Sequence, residues 1–594
     1  MIEAFETDDP HDRRFALQAQ GSLGAFNAAG VFEAPDVHTA RRIQALAGEV
    51  DDEVGLAVAL AVRSLRHGSV CLDLEALATE PLPAELSWPD AGWTARVAES
   101  RVARAGVVRV EDGVVYLDRY WREERQVRDD LLARLALAPP VVDEGRLASL
   151  APVLFPEGYD EQRAAALCAA RQWTTVLTGG PGTGKTTAVA GLLALLADQS
   201  ERPLRIALTA PTGKAAARLQ EAVRTALGSS AFEGRAEAVG HPTAQTLHRL
   251  LGWKRGSRNR FRHDRSNRLP HDVIVVDETS MVSLTMMARL VEAVRADCRL
   301  VFVGDPDQLA SVEAGAVLAD LVDGLTRRAR TTVSTLHTSH RFGQEINRLA
   351  EAVRDGDADR ALALLEAGED HVELLDAADP DVLAALRDRL VGHAVALREA
   401  AAAGDADRAI ALLDRHRLLC AHRDGPWGVG HWNRLVERSL AERTGLPIGG
   451  GWGQEWYAGR PLLLTSNDYG LDLFNGDTGV VVADEGGVRA AIAVPRGHRE
   501  LATSRLTDVE TMHAMTVHKS QGSQAEEVTV LLPPDDSRLL TRELLYTALT
   551  RAERRVTVVA TADAVRLAVE RPAQRASGLA ARLAQPPEGA TSRP

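Results

Sequence analysis

The spacing of hydrophobic and polar positions changes four times along the chain. In the first 148 residues helical and strand-like periods mix. Val54–Leu65 repeats with a helical period. GVVRVEDGVVYL, from Gly106, places Asp112-Gly113 between two β-branched runs and predicts a hairpin. A break follows at Ala138-Pro139-Pro140. From about residue 150, short apolar runs alternate with helical stretches: Thr174–Thr178, Arg205–Thr209, Val273–Val276 and Leu300–Val303. Runs this short and this apolar predict buried parallel strands of an α/β sheet. Residues 351–420 are rich in Ala, Leu and charge and read as helical. Within them GDADRALALL, from Gly356, recurs as GDADRAIALL, from Gly404. Two copies are too few for a solenoid, so the repeat predicts two similar amphipathic helices, each opened by Gly-Asp. Residues 460–512 read as strands with turns at Asn475-Gly476 and Gly486-Gly487, a small inserted β module. The α/β pattern returns from Val528, and the tail from about Gln585 predicts disorder.

The resulting division is an N-terminal α+β domain (1–148), a first α/β lobe (149–335), a second lobe (336–584) with its β insertion, and a tail (585–594). The length, 594 residues, accommodates several domains. Composition is that of a soluble globular protein, with 45% hydrophobic and 26% charged residues. The net charge of −14 excludes a polybasic nucleic-acid binder, and −10 of it falls in residues 1–150. That region is expected to dock a protein. One stretch runs the other way: Lys254 to Arg268 holds seven Lys or Arg and one acid, Asp264. It is the candidate DNA footprint, through Lys254, Arg258, Arg260 and Arg262. The four cysteines are far apart, the N-terminus lacks the features of a signal peptide, and no apolar run approaches the ~20 residues of a membrane span. A reducing cytoplasm and no membrane are expected.

Gly179, Gly180, Pro181, Gly182, Thr183, Gly184, Lys185, Thr186 and Thr187 spell a phosphate-binding loop directly after an apolar run. Glycines let backbone amides turn toward phosphate oxygens. Lys185 would reach the β- and γ-phosphates of ATP, and the Thr186 hydroxyl would ligate Mg²⁺. Asp277-Glu278 ends the run Val273–Val276, at the strand edge where α/β sheets bind ligands. Asp277 fits the Mg²⁺ shell, and Glu278 the orientation and deprotonation of an attacking water. Gln308, in GDPDQL, is placed to sense the γ-phosphate. Arg341 in SHRF and Arg551 in YTALTRAERR are candidate arginine fingers. APTGKAAAR, around Lys214, and TVHKSQGS, with Thr516, His518 and Lys519, are small-residue turns suited to the phosphates of a nucleic-acid strand.

Taken in order, the P-loop, APTGKAAARL, AQTLHRLLG, VVDE, GDPDQLASVEAG, SHRF, MTVHKSQGSQ and YTALTRA resemble a superfamily 1 DNA helicase with two RecA-like P-loop lobes. GRPLLLTSNDYGLDLFNGDTG, from Gly459, and YLDRYWREE, from Tyr116, narrow the resemblance to the RecD family, the alpha subunit of exodeoxyribonuclease V. It spans nearly the whole chain. The resemblance implies a 5′→3′ translocase acting on single-stranded DNA and duplex ends in recombinational repair, within a complex with a beta (helicase–nuclease) and a gamma subunit. It implies that Gln162 contacts adenine, that Thr246 and His248 of AQTLHRLLG join the DNA contacts, that 460–512 is an SH3-like insertion and that 253–270 is a small hairpin insertion in the first lobe. The stand-alone relatives carry a long N-terminal extension that is missing here, which favours a complex subunit over a solo helicase. A P-loop ATPase of another kind, or a structural subunit with a vestigial ATPase, would share some of these residues.

The chain has 65 arginines and only four lysines, Lys185, Lys214, Lys254 and Lys519. Three fall inside the motifs, as expected where a compact ammonium meets phosphate. The common repair-nuclease centre needs an acid two residues before a lysine. Those positions here are Thr183, Thr212, Gly252 and Val517. The nuclease is therefore expected on a partner chain.

Overall fold

The computed structural model describes the chain except residues 1–3, 6, 8, 230–231, 233–238, 241, 255–259, 329–330, 340–343, 369–370, 446–447, 449–454, 469, 495–496, 534–536 and 586–594. Arg258, Arg341 and almost all of the predicted disordered tail lie outside the described residues.

The N-terminal body packs helices Gly21–Ala28, Ala34–Ala47 and Asp52–Arg66 on a small sheet. Its strands are β1 (Cys71–Asp73), β2 (Val108–Glu111) and β3 (Val114–Leu117), in the order β1-β3-β2. The β2–β3 hairpin turns at Asp112-Gly113, both with positive φ, which matches the right-handed twist of paired strands.

The first lobe is a parallel six-stranded sheet. Its strands are β4 (Thr174–Gly179), β5 (Ile206–Ala210), β6 (Ala244–Thr246), β7 (Val273–Val276), β8 (Arg299–Gly304) and β9 (Val333–Leu336), in the order β6-β5-β7-β8-β4-β9. Every residue of β4 and β7 is buried, since helices cover both faces. The second lobe begins with β10 (Val372–Asp376) and β11 (His416–Cys420). The chain then leaves for an antiparallel module, β12 (Pro461–Leu464), β13 (Thr478–Asp484), β14 (Gly487–Ala493), β15 (His498–Ala502) and β16 (Val509–Thr511). It returns through β17 (Ala514–Thr516), β18 (Ala525–Leu531) and β19 (Ala552–Ala560), giving a parallel sheet of order β10-β19-β18-β11-β17.

One sequence expectation needs correction. Residues 351–420 are not helical throughout: β10 and β11 lie among the helices. Both are short, and parallel pairing with β19, β18 and β17 decides their state against Ala- and Leu-rich surroundings. The GDADR repeat opens two helices, Ala358–Glu366 and Ala406–Arg415. The side chains of Asp357 and Asp405 accept from the Arg360 and Arg408 amides, each at 3.0 Å.

Packing crosses the bounds drawn for the N-terminal domain (1–148) and the second lobe (336–584). Helix Asp118–Leu135 lies along helix Leu284–Ala293, and its Val127 and Leu131 belong to the first lobe's core. Helix Leu579–Ala584, at the far end of the chain, returns to pack on Val317–Arg328 of the same lobe. In both segments an apolar stripe is buried on a body remote in sequence, and adjacency along the chain carries no information about that.

Candidate nucleotide site and nucleic-acid interface

Gly184 caps helix Lys185–Asp198 with φ 79°, and Gly182 has φ 81°, a backbone that side chains resist. The loop therefore wraps tightly before the helix begins, with Pro181, Thr186 and Thr187 half-buried along it. Lys185 Nζ donates to the carbonyls of Gly179 at 2.6 Å and Gly180 at 2.8 Å. Thr183 Oγ1 donates to Gly180 at 2.9 Å. A polyphosphate would compete for the same ammonium. Gln162, buried on helix Asp160–Ala170, donates from Nε2 to the Thr183 carbonyl at 2.7 Å and so braces the loop from behind.

Opposite the loop, Asp277 and Glu278 follow β7. Glu278 has φ 49°, a left-handed conformation that costs a non-glycine residue about 1 kcal/mol or more and that aims its carboxylate. Burial first, and then the neighbouring charge of Glu278, push the Asp277 carboxyl up, while Lys185 opposes the shift. Asp305 is raised by burial in the same way and also feels Lys185. Its Oδ2 accepts from Gln308 Nε2 and from the Tyr546 hydroxyl, each at 3.0 Å. Gln308 Oε1 is buried with no hydrogen-bond partner among the described residues. The second lobe closes the site. The Leu309 amide donates to Thr547 Oγ1 at 2.8 Å, and Gln521 Nε2 donates to the Leu309 carbonyl at 2.7 Å. Arg551 is buried, held by the Thr547 carbonyl at 3.0 Å. Burial lowers its pKa, while Glu278 and Asp305 stabilise its charge. Lys185, Asp277, Glu278, Gln308 and Arg551 thus converge from two lobes. Tyr546, Thr547 and Gln521 stood inside quoted motifs, yet only the fold reveals that they join the lobes.

The candidate DNA residues are more scattered. Lys214 stands at the start of helix Gly213–Leu227, where its Nζ reaches the Gly476 carbonyl of the inserted module at 3.4 Å. Burial, then Arg417 and Arg218, bring it down to about 8. Lys519 Nζ pairs with Glu510 at 2.6 Å. The hydroxyls of Thr246 and Thr516 cap short helices, accepting from the Arg249 and Lys519 amides. His518 is half-buried and lowered by burial and Arg575. His248 is lowered by burial and lies 6.0 Å from the Phe261 ring. In the basic stretch Trp253 bridges to Phe261, and Lys254, Arg260 and Arg262 are exposed. Arg265 and Arg268 are used internally, on Asp130 at 2.8 Å and the Val294 carbonyl at 2.8 Å. No helix among the described residues is long and apolar enough to cross a membrane.

Family models match three parts of the chain: the RecBCD enzyme subunit RecD N-terminal domain at 28–110, an AAA domain at 158–376 and a UvrD-like helicase C-terminal domain at 511–559. The chain is 60% identical to the RecBCD enzyme subunit RecD of Mycobacterium tuberculosis over 96% of its length and 98% of that protein's. It is 31% identical to the subunit of the same name from Haemophilus influenzae, over 79% of this chain and 80% of that one. It is also 31% identical to the ATP-dependent RecD2 DNA helicase of Deinococcus radiodurans, covering 80% of this chain and 59% of that protein. A solved Bacteroides Pif1 bound to ssDNA superposes with a TM-score of 0.38 at 16% identity, covering 68% of this chain and 92% of that one, too remote to bear on the site. At 60% identity along nearly its whole length, and with the nucleotide-binding loop intact between two lobes, the chain belongs to the family of the RecBCD enzyme subunit RecD.

Proposed function

We propose that this chain is the ATP-driven DNA helicase subunit of a RecBCD-type helicase–nuclease complex, moving 5′→3′ on single strands drawn from duplex ends in recombinational repair. Beta (helicase–nuclease) and gamma subunits are its partners, and the nuclease centre sits on a partner. The family resemblance supports polarity and partners. The observation that carries the motor itself is the convergence of Lys185, Asp277 and Glu278 of one lobe with buried Arg551 of the other.

Lys185 and the loop amides hold the β- and γ-phosphates. Gln162 is assigned the adenine contact on the family resemblance. Glu278 orients water in line with the γ-phosphate and takes its proton. Arg551 supplies positive charge from the second lobe, and Arg341 is assigned the same task. Gln308, bound to Asp305, reads the γ-phosphate and passes its presence to Tyr546 and Thr547. Asp277, a buried carboxyl beside Glu278 whose charged form a dication would favour, and the Thr186 hydroxyl form a donor set that fits Mg²⁺. When bound, Mg²⁺ neutralises phosphate charge. DNA phosphates are held by Lys214, Lys519 and the exposed Lys254, Arg260 and Arg262, with Thr246, His248, Thr516 and His518 shaping the path. The test is ATP hydrolysis by the purified chain with and without single-stranded DNA. Strong stimulation is expected, and DNA-indifferent turnover would remove the helicase assignment.

A further inference from the structure

After helix Ala562–Glu570 the chain leaves the second lobe. Residues 571–585 run back across the molecule as a strap that touches the N-terminal body and both lobes. Arg571 donates to the Ser537 carbonyl at 2.9 Å, and the Ala573 amide to Glu543 Oε2 at 2.7 Å, both in the second lobe. The Ala576 carbonyl accepts from the Val70 amide of the N-terminal body at 2.7 Å, and the Ala576 amide donates to Ser69 Oγ at 3.1 Å. Ser577 Oγ and the Gly578 amide donate to Glu124 at 2.8 and 3.0 Å. Helix Leu579–Ala584 then lies on Val317–Arg328 of the first lobe.

Arg575 stands in the middle of the strap, half-buried. Its Nη1 donates to the carbonyl of Ser311 and, at 3.4 Å, to that of Glu313. Those carbonyls belong to the loop that leads from Gln308 to helix Val317–Arg328, and residues 309–316 of it form neither helix nor strand. The loop's position therefore depends on what holds it from outside. Charged donors make the stronger hydrogen bonds, so a guanidinium on two of its carbonyls is a firm hold. The N-terminal body closes the other side. Gly68 approaches the guanidinium so nearly that a Cβ there would stand 3.0 Å from Arg575 Cζ, and its carbonyl accepts from the Gly315 amide at 2.9 Å. Glu543 stabilises the arginine's charge against burial, and it lies on helix Arg542–Leu549, which also carries Tyr546 and Thr547. One cation thus meets the loop after Gln308, the helix that contacts that loop from the second lobe, and the N-terminal body.

We propose that Arg575 is a positioning residue for ATP hydrolysis: from the strap it clamps the loop that follows Gln308 against the N-terminal body, and so fixes where Gln308 stands at the γ-phosphate. This role rests on the motor reading above. Arg575 touches neither nucleotide loop nor DNA motif; it acts on the chemistry only through the Ser311 and Glu313 carbonyls. Removing it should therefore slow turnover without changing how tightly ATP or DNA is held.

The test is steady-state ATP hydrolysis by the full-length chain with single-stranded DNA. Arg575→Met keeps an unbranched stem and loses the donors. It should lower kcat by about tenfold, with KM for ATP and affinity for single-stranded DNA within about twofold of wild type, as misplacement away from the reacting atoms does. Arg575→Lys, whose ammonium can still donate to both carbonyls, should recover about half of the wild-type kcat or more. Should Arg575→Met fail to fold, Arg575→Gln, shorter and uncharged, takes its place with the same expected loss. An arginine that only packs the strap would change the melting temperature and leave kcat in place. Wild-type kcat in the uncharged variant, an equal loss in the lysine variant, or a matching rise in KM overturns the clamp and leaves the motor reading standing. Absence of DNA-stimulated hydrolysis in wild type removes the motor reading and the clamp with it.

Discussion

The Tyr546 hydroxyl of the second lobe donates to Asp305 Oδ2 of the first at 3.0 Å, on the turn that also carries Gln308. A buried hydrogen bond to a carboxylate contributes about 1.5–3 kcal/mol. It is therefore strong enough to register lobe position against the γ-phosphate site. Tyr546→Phe should lower DNA-stimulated turnover by about tenfold and leave nucleotide affinity within twofold. Steady-state ATPase and titration with a fluorescent ATP analogue check this; equal stimulation in the variant would show that the bond merely packs.

The chemistry of the site predicts a split between two variants. Lys185→Gln should abolish hydrolysis and weaken ATP binding, because the ammonium neutralises the β- and γ-phosphates. Glu278→Gln should still bind ATP but turn over slower by a factor on the order of 10² or more, as loss of a base does. Single-turnover hydrolysis distinguishes the two.

A third prediction concerns pH. Burial pushes the Asp320 carboxyl up to about 7, and Glu124 adds like charge. Its Oδ2 is buried with no hydrogen-bond partner among the described residues. The folded state therefore holds this proton more tightly than the unfolded chain does. Such a group contributes its stabilisation below the unfolded pKa, near 4, and loses it progressively as pH rises toward 7. Asp320→Asn removes the charge, so it should stabilise the chain by about 1–3 kcal/mol above pH 7 and by little near pH 4.5. Thermal melts across that range should show a gap that widens with pH.

The basic stretch Lys254–Arg268 should act through phosphates. Arg260→Glu with Arg262→Glu should weaken single-strand binding and flatten its dependence on salt, since each lost phosphate contact removes about one released counterion. Arg258→Glu is expected to add to this. An unchanged slope in a salt titration would mean that the stretch makes no phosphate contact.

No acid precedes any lysine by two residues, so the purified chain with Mg²⁺, ATP and linear DNA should hydrolyse ATP or separate strands without cutting. Degradation that survives further purification, and that an acidic-residue variant of this chain abolishes, would overturn the assignment of the nuclease to a partner.

Local chemistry determined much of this protein. The P-loop needs Gly182 and Gly184 in left-handed backbone directly before a helix, and that demand is written in consecutive residues. The apolar runs of β4 and β7 announce buried parallel strands, and Asp112-Gly113 announces its hairpin. What depends on residues far apart in the chain was decided only by the fold. Strands β10 and β11 exist because other strands pair with them. Helix Asp118–Leu135 joins the first lobe because its stripe of Val127 and Leu131 fits there. Tyr546 reaches Asp305 across 241 positions of chain. Lys214 and Lys519, legible as phosphate ligands from their motifs, rest on Gly476 and Glu510 of a module inserted between them in the sequence. A side chain's type and near neighbours set what it can do; which partner it meets is set by packing, where burial of apolar surface outweighs any single polar contact.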